Sequence, residues 1–571
     1  MKKRGTVRQA GAILLGLTLV GGQAEAASKT EPPRLVLQIT VDQLRGDLIG
    51  RYGAGMGKDG FYYLLSHGKV FANAHHRHAN TETVVGHTTL ATGADPAVHG
   101  MISNVWIDRK TGRTVYNLQD ADYPLIGVSD KGAKQEIDPT QKAATTKGRS
   151  PRNILVSTIG DEIRLHYGPQ AKVFSVSVKD RAAIAMGGHS GQAWWFSKSA
   201  GRFVTSTYYR KTYPEWVKRW NASGKVAAYA GKCWTLLLDR KYYRFADRDD
   251  QKWEMNLPGW GRTFPHCYGS AKGKFYTGLL TMSPAGDALT ADFAKALIEN
   301  EKLGQDDIPD YLSISFSSTD YIGHVFGPSS LEAEDNLKRL DRTLADLLHY
   351  VDKKVGLEHT LVVFSADHGA TEAVGYMKRL GLDAGEFDFK KVVAKPWLAK
   401  LRKRFGLKKG ELIQGFIKPY VYLNRAAIAK AGLKLETVQK AVAEALQKQP
   451  GVAYAVTSTA LDRGEVTDSP VLHAVEANYN PDRSGDIYLV FKPHWFVADF
   501  DGLIVTSVHG SPWDYDTFVP LVFMGPGIQA GRVYRRVETV DVAPTIAALL
   551  HTKAPSGAEG NPLPEVLGAH R

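Results

Sequence analysis

Arg34-Leu-Val-Leu-Gln-Ile-Thr-Val41 is an unbroken β-prone run that stops at a carboxylate, Asp42. Three other runs have the same form. Lys172-Val-Phe-Ser-Val-Ser-Val178 stops at Lys179, Tyr311-Leu-Ser-Ile-Ser-Phe316 leads to Asp320, and Thr360-Leu-Val-Val-Phe-Ser-Ala366 stops at Asp367-His368. Short runs of this kind suit strands buried on both faces, as in a parallel sheet. Between them lie helical patterns. One covers 287–303, after Ser283-Pro284; the other covers 330–355, with Leu337, Leu340, Leu344, Leu348 and Val351 at helical spacing. Alternating strands and helices predict an α/β fold with a mostly parallel central sheet and helices on both faces. Ligands of such sheets bind beyond the carboxyl ends of the strands, where these polar residues fall.

Two stretches depart from the alternation. Residues 196–275 are rich in Trp, Tyr and charge without a clear period, and residues 381–480 carry their own pattern of strand (420–423), helix (435–447) and strand (452–456). Both read as insertions covering the site. They divide the core into 27–195, 276–380 and 481–571, the last part reopening with the run 487–491. The second insertion begins with a series of Lys and Arg from Lys390 to Lys409 without one acidic residue, either a solvated basic face or a contact for anionic polymer.

The chain has 571 residues, 43% of them hydrophobic and 23% charged, which excludes wholesale disorder. Its formal charge of +13 leaves nucleic acid, anionic membrane or a small anionic substrate as partners to test. Met1 to Ala26 combines a basic start (Lys2, Lys3, Arg4, Arg8), an apolar stretch from Gly11 to Leu19 and the small-residue ending Ala24-Glu25-Ala26. This is the pattern of a signal peptide, too short for an anchor, and it predicts a periplasmic or secreted protein with no membrane span. Two cysteines exclude a disulfide scaffold and a Cys-rich zinc site; an oxidising compartment would permit Cys233 and Cys267 to pair.

Asp320-Tyr-Ile-Gly-His324 sets a carboxylate and an imidazole four residues apart, on one side of a helical turn. Asp42, Asp367-His368 and His509-Gly510 bring the set to three Asp and three His, without Cys, which suits zinc or a similar divalent ion. Six ligands are enough for two ions with three protein groups each, leaving the open positions of a catalytic site. Asn80-Thr-Glu-Thr83-Val-Val-Gly86-His87-Thr-Thr-Leu-Ala-Thr-Gly93 offers a nucleophile. The stretch 84–91 can form a helix that Thr83 caps, placing the hydroxyl beside the helix dipole and backbone N–H groups. Spacing alone leaves Thr81, Thr83, Thr88 and Thr89 open. A nearby metal ion would convert a capping hydroxyl into a nucleophile.

In chain order these motifs are Asp42, Thr83-Val-Val-Gly-His87, Thr92-Gly93 with Pro96, His99 and Gly100, Asn104, Lys179-Asp-Arg181, Asp320-x-x-x-His324, Asp367-His368-Gly369, His509-Gly510 and Val540-Asp-Val-Ala-Pro-Thr545. Over residues 34–550 they closely resemble the alkaline phosphatase superfamily, in particular its single-chain, threonine-nucleophile bacterial phosphatases, relatives of the nucleotide pyrophosphatase/phosphodiesterases. The resemblance implies two zinc ions and a covalent phospho-threonine on Thr83. It implies that Asp42, Asp367 and His368 hold the ion that activates Thr83, and that Asp320, His324 and His509 hold the second. Asn104, Lys179 and Arg181 would bind the phosphate oxygens. Val85 stands where many relatives have proline, a departure that bears on the helix start and not on the chemistry. Neither Cys233-Trp-Thr-Leu nor Cys267-Tyr-Gly-Ser fits the modified-residue motif of a sulfatase.

Charge separates the substrates. Two divalent ions balance three carboxylates and an alkoxide, so Lys179 and Arg181 leave the pocket cationic, which favours a phosphomonoester dianion over a diester monoanion. The expectation is a zinc-dependent phosphomonoesterase of broad range, acting as a monomer on small phosphorylated substrates with no specific nucleic acid partner. A phosphodiesterase or nucleotide pyrophosphatase on the same scaffold is the alternative, and a basic envelope protein without catalysis is the reading from charge alone.

Overall fold

β1 (Leu35–Val41) is buried along its whole length. Leu35, Leu37, Ile39 and Val41 pack into one apolar layer and Val36 into the layer on the opposite face. The two-residue alternation of the strand therefore divides one core from another rather than core from solvent. The computed structural model describes residues 32–128, 144–145, 147–500 and 503–568, so the leader read over 1–26 lies outside the described residues.

The central sheet has ten strands: β1, β2 (Lys69–His75), β3 (Val173–Ser177), β4 (Gln192–Ser197), β5 (Arg202–Val204), β6 (Asp310–Phe316), β7 (Thr360–Ser365), β8 (Phe518–Met524), β9 (Gly531–Val533) and β10 (Val537–Glu538). Their order is β9-β2-β8-β7-β1-β6-β3-β4-β5, with β10 also paired to β2. β7, β1, β6, β3 and β4 are parallel neighbours. β8 runs against β7 and β2, and β5 against β4. Thr40 is level with Ser315 and Ser365, and Ser315 with Ser177, so the four runs read from the sequence leave the sheet side by side at one edge.

The helices that position the site are α1 (Thr83–Thr92), α2 (Asp180–Gly187), α3 (Pro284–Glu301), α4 (Ser318–Phe326) and α5 (Leu331–Lys354). The patterns over 287–303 and 330–355 are α3 and α5. Each starts behind a serine whose hydroxyl accepts a backbone N–H of the first turn: Ser283 from Ala285 and Ser330 from Ala333. Leucines of α3 and α5 line the core on one face of the sheet, and Leu90 and Ala91 of α1 that on the other. None of the described helices is long and apolar enough to cross a membrane.

A separate four-stranded sheet forms in the order Ile413–Ile417, Tyr420–Leu423, Ile487–Phe491, Val452–Thr457, with the helix Leu435–Gln447 beside it. The run 487–491, expected to reopen the central sheet, pairs antiparallel with Tyr420–Leu423 and Val452–Thr457 instead. The reason is its double burial. Ile487, Leu489 and Phe491 face the small sheet's own core, while Tyr488 and Val490 join a core with Val84 and Val85 of α1. A strand covered on both faces looks the same in either sheet. The central sheet resumes only at β8. The first insertion likewise starts later than 196, because β4 and β5 carry the central sheet to Val204. Within it Cys233–Trp234 pairs with His266–Cys267, and the two cysteines are joined by a disulfide.

Candidate active site

Asp42 follows β1 directly and Asp367-His368 follows β7 after one residue. α4 begins just past β6, so Asp320 and His324 lie one turn apart on it, and His509 comes from the loop before β8. All six are buried. Ligand atoms of Asp42, Asp367 and His368 lie within 4.8 Å of one another, and so do those of Asp320, His368 and His509. His324 Nε2 is 3.2 Å from Asp320 Oδ1. His368 belongs geometrically to both groups: its Nε2 is 3.3 Å from Asp367 Oδ2, and its ring stacks on His509 at 3.6 Å.

The donor set fits divalent ions. Nδ1 of His324, His368 and His509 lies 2.7, 2.9 and 2.7 Å from the carbonyl oxygens of Ser507, Gly369 and Thr81. With each Nδ1–H given to a carbonyl, the Nε2 lone pairs face the carboxylates, an arrangement that only a cation between them makes favourable. Asp42 Oδ1 and His368 Nε2 are buried without a hydrogen-bond partner. Burial pushes the Asp42 carboxyl well above its usual value, with Asp367 adding repulsion. At Asp320 burial acts the same way, but His324 in its protonated form and Lys179 outweigh it, holding that carboxyl well below the usual range. Burial lowers His368 and His509, which keeps both imidazoles neutral and able to bind metal.

Thr83 was expected to cap α1; the cap residue is Glu82, whose backbone is extended, and Thr83 is the first helical residue. Glu82 Oε2 instead takes the Ser103 hydroxyl at 2.8 Å and the Asn104 N–H at 2.6 Å. The other hydroxyls left open by spacing are engaged elsewhere. Thr88 donates to Val84 O, Thr89 pairs with His99, and Thr81 donates to Ser511 O. Thr83 Oγ1 is approached by Lys179 Nζ at 3.4 Å. α1 lies against the Asp367 backbone because residue 86 is glycine: a Cβ there would meet Asp367 O at 1.9 Å. His87, one turn after Thr83, has Nδ1 3.0 Å from Asp367 Oδ2 and Nε2 2.8 Å from Ser315 Oγ, which ties the helix to β6 and to the carboxylate.

Of the residues expected to bind phosphate, Asn104 and Lys179 meet at the start of α1. Asn104 Oδ1 accepts the Val84 N–H at 3.1 Å, one of the orphan donors of the first turn. The Lys179 ammonium is 2.8 Å from Asp42 Oδ2 and also bonds Asp320, so it stands between the two carboxylate groups. Asp180 does not face the site; it binds Arg149 at 2.6 Å and the Tyr116 hydroxyl at 2.7 Å, fixing the turn that brings in Lys179 and Arg181. Arg181, Asn104, His324 and His509 line a cleft of about 560 Å³.

Three positions in contact with the candidate site residues escaped the sequence reading. Gln43 holds both carboxylate groups, its N–H 3.1 Å from Asp367 Oδ1 and its amide Nε2 2.8 Å from Asp320 Oδ1, at a left-handed φ of 67°. Glu82 positions Asn104, as above. Lys418, from the small sheet, gives Nζ–H to His509 O at 2.6 Å and lies 3.6 Å from Glu82 Oε1. Gln43 and Glu82 adjoin motif residues and carried that signal; nothing local marks Lys418.

A mostly parallel sheet that delivers three carboxylates and three imidazoles beside a helix-borne threonine defines a hydrolase of the alkaline phosphatase superfamily. The chain belongs within it to the type I phosphodiesterase/nucleotide pyrophosphatase family, whose model matches residues 36–511. It is 36% identical to alkaline phosphatase PafA of Elizabethkingia meningoseptica, over 97% of this chain and 98% of that protein. It is also 36% identical to a Myroides odoratus protein described as a calcium-transporting ATPase, over 95% of this chain and 96% of that one. The crystal structure of wild-type PafA matches with a TM-score of 0.86 at 36% identity, covering 94% of this chain and 99% of that one. A PafA variant with a threonine, an asparagine, a lysine and an arginine replaced matches at 0.85, with 34% identity and the same coverage.

Proposed function

We propose that the protein is an exported, zinc-dependent alkaline phosphatase that hydrolyses small phosphate monoesters through a covalent phospho-threonine on Thr83. The observation that carries this reading is the meeting of Thr83 Oγ1 and Lys179 Nζ between the two Asp/His groups. The four residues replaced in the PafA variant support the assignment, because the threonine-to-asparagine and lysine-to-arginine separations there equal those from Thr83 to Asn104 and from Lys179 to Arg181. The leader pattern and the Cys233–Cys267 disulfide support export.

Asp42, Asp367 and His368 would hold one zinc ion and Asp320, His324 and His509 the other, and bound there they would lend positive charge to the entering and leaving oxygens. The chain's own groups do the rest. Thr83 Oγ loses its proton and bonds to phosphorus as the ester P–O bond breaks and the alcohol departs. Water then attacks phosphorus, the Oγ–P bond breaks, Thr83 regains its proton and phosphate is released. Lys179 and Arg181 neutralise the phosphoryl oxygens, the arginine as a fork and the lysine as a point charge. Asn104, fixed by Glu82 and Val84, holds its place without reorganisation. Glu82 and Lys418 cancel one another, so the surplus of two cations that favours a dianion stands.

The test is a comparison of kcat/KM for a monoester and a diester with the same leaving group. A monoester preference of at least about 100-fold is expected, on the order of what a lost pair of charge-assisted contacts costs. A diester preference would overturn the reading in favour of a phosphodiesterase.

A further inference from the structure

We propose that the outer half of the cleft is a subsite for a flat, neutral aromatic leaving group, making aryl phosphate monoesters the favoured substrates. This rests on the phosphatase reading above and names the substrate class of the same site. The cleft of about 560 Å³ is far larger than a phosphoryl group needs. Its inner end is polar; its outer wall is built by Val105 and Ile107 from the body and by Phe387, Phe389, Phe416 and Val497 from the small-sheet region. Phe389 and Phe416 stack with centroids 4.2 Å apart and planes 12° apart, and both remain half-buried where they line the cleft. A planar group laid along this pair would cover ring surface that water now touches. The wall is continuous between the two parts of the protein because Gly415 lets the strand Ile413–Ile417 close on Ile107, whose Cδ1 would lie 2.7 Å from a Cβ there.

The charges on the rim do not call for a charged leaving group. Lys390 pairs with Asp499 at 3.4 Å and Asp388 with Lys391 at 3.2 Å, while Lys418 is held by His509 O and Glu82. Each cation there already has its anion, so a second phosphate or a carboxylate on the leaving group gains no lone counter-charge. An apolar ring, by contrast, gains the burial of its faces.

The experiment measures competitive inhibition by methylphosphonate and by naphthylphosphonate, which share the phosphoryl end and undergo no turnover. In the wild type, naphthylphosphonate is expected to bind at least about tenfold more tightly, the scale of burying one aromatic face. Phe389→Ala/Phe416→Ala should collapse the ratio of the two inhibition constants to within about twofold. Phe416→Leu, which keeps packing volume and loses the flat face, should lower it partway, and this variant decides the matter if the double substitution fails to fold. A wild-type ratio near one, or a ratio that neither substitution moves, overturns the subsite while methylphosphonate still inhibits. Failure of methylphosphonate to inhibit at all would instead overturn the phosphate-end reading, and the subsite with it.

Discussion

Thr83 contributes one oxygen, yet its surroundings are arranged around that atom. Because Thr83 is the first helical residue and Glu82 makes the cap, removing the hydroxyl leaves the helix start intact. Thr83→Ala should therefore lower kcat/KM on an aryl monoester by at least about 1,000-fold with an unchanged near-UV spectrum, whereas Thr83→Ser should retain measurable turnover. Full activity in the alanine variant would remove Thr83 from the nucleophile role. Gln43 acts at the same scale through the groups it holds. Its left-handed backbone costs on the order of 1 kcal/mol, which persists because one residue bridges Asp320 and Asp367. Gln43→Gly relieves the backbone, keeps the N–H to Asp367 and removes the side chain whose amide bonds Asp320, so the affinity for added zinc measured against a competing chelator should fall by about 10- to 100-fold, the usual effect of losing a partner behind a ligand. An unchanged affinity would show that the bridge is idle.

Between elements, the first insertion meets α5 through buried acids. Glu332, in the first turn of α5, lies 3.0 Å from His266 Nε2, and Glu254 of the insertion is buried nearby. Burial pushes Glu254 up from 4.5 to about 9, and burial together with Glu254 raises Glu332. The folded state thus binds protons more tightly than the unfolded chain. This contribution to stability is complete below about pH 4.5 and is lost as pH rises toward about 9. Glu254→Gln should flatten that part of the profile, so its Tm should exceed that of the wild type at pH 9 by more than at pH 5. A parallel pair of profiles would deny these groups the role. The same insertion is tied by Cys233–Cys267, 34 residues apart in sequence. Closing a loop of that size is worth about 4 kcal/mol, so reduction should lower Tm measurably, and Cys233→Ser/Cys267→Ser should reproduce the shift.

At the scale of the molecule, three buried carboxylates gathered at one sheet edge are a liability that bound cations would relieve. Exhaustive chelation should abolish turnover and lower Tm, and added zinc should restore both, because an ion that binds only the folded chain stabilises it by mass action. Activity that survives chelation would refute the metal assignment. The surplus charge of +13, of which +3 lies in the leader pattern over 1–26, also acts at this range. It should draw in anionic substrate, so kcat/KM should fall as salt is raised from about 10 to 150 mM while kcat changes little, since screening weakens long-range attraction and not contacts in the site.

The sheet, and the positions of Asp42, Lys179, Asp320, Asp367 and His368 at its edge, were legible in the sequence. Apolar periodicity and the residue that ends each strand are properties of contiguous chain, and parallel strands in register place such ends side by side. Tertiary structure alone decided the rest. It moved Ile487–Phe491 into the small sheet, because a strand buried on both faces carries no mark of which sheet will bury it. It put Glu82 rather than Thr83 at the cap position and made Asn104, some twenty residues on, the side chain that accepts the Val84 N–H. It brought Lys418 beside His509 and set Phe389 against Phe416 on the cleft wall. These contacts join segments far apart in the chain, and such pairings follow from how whole layers pack and not from any local preference of the residues that make them.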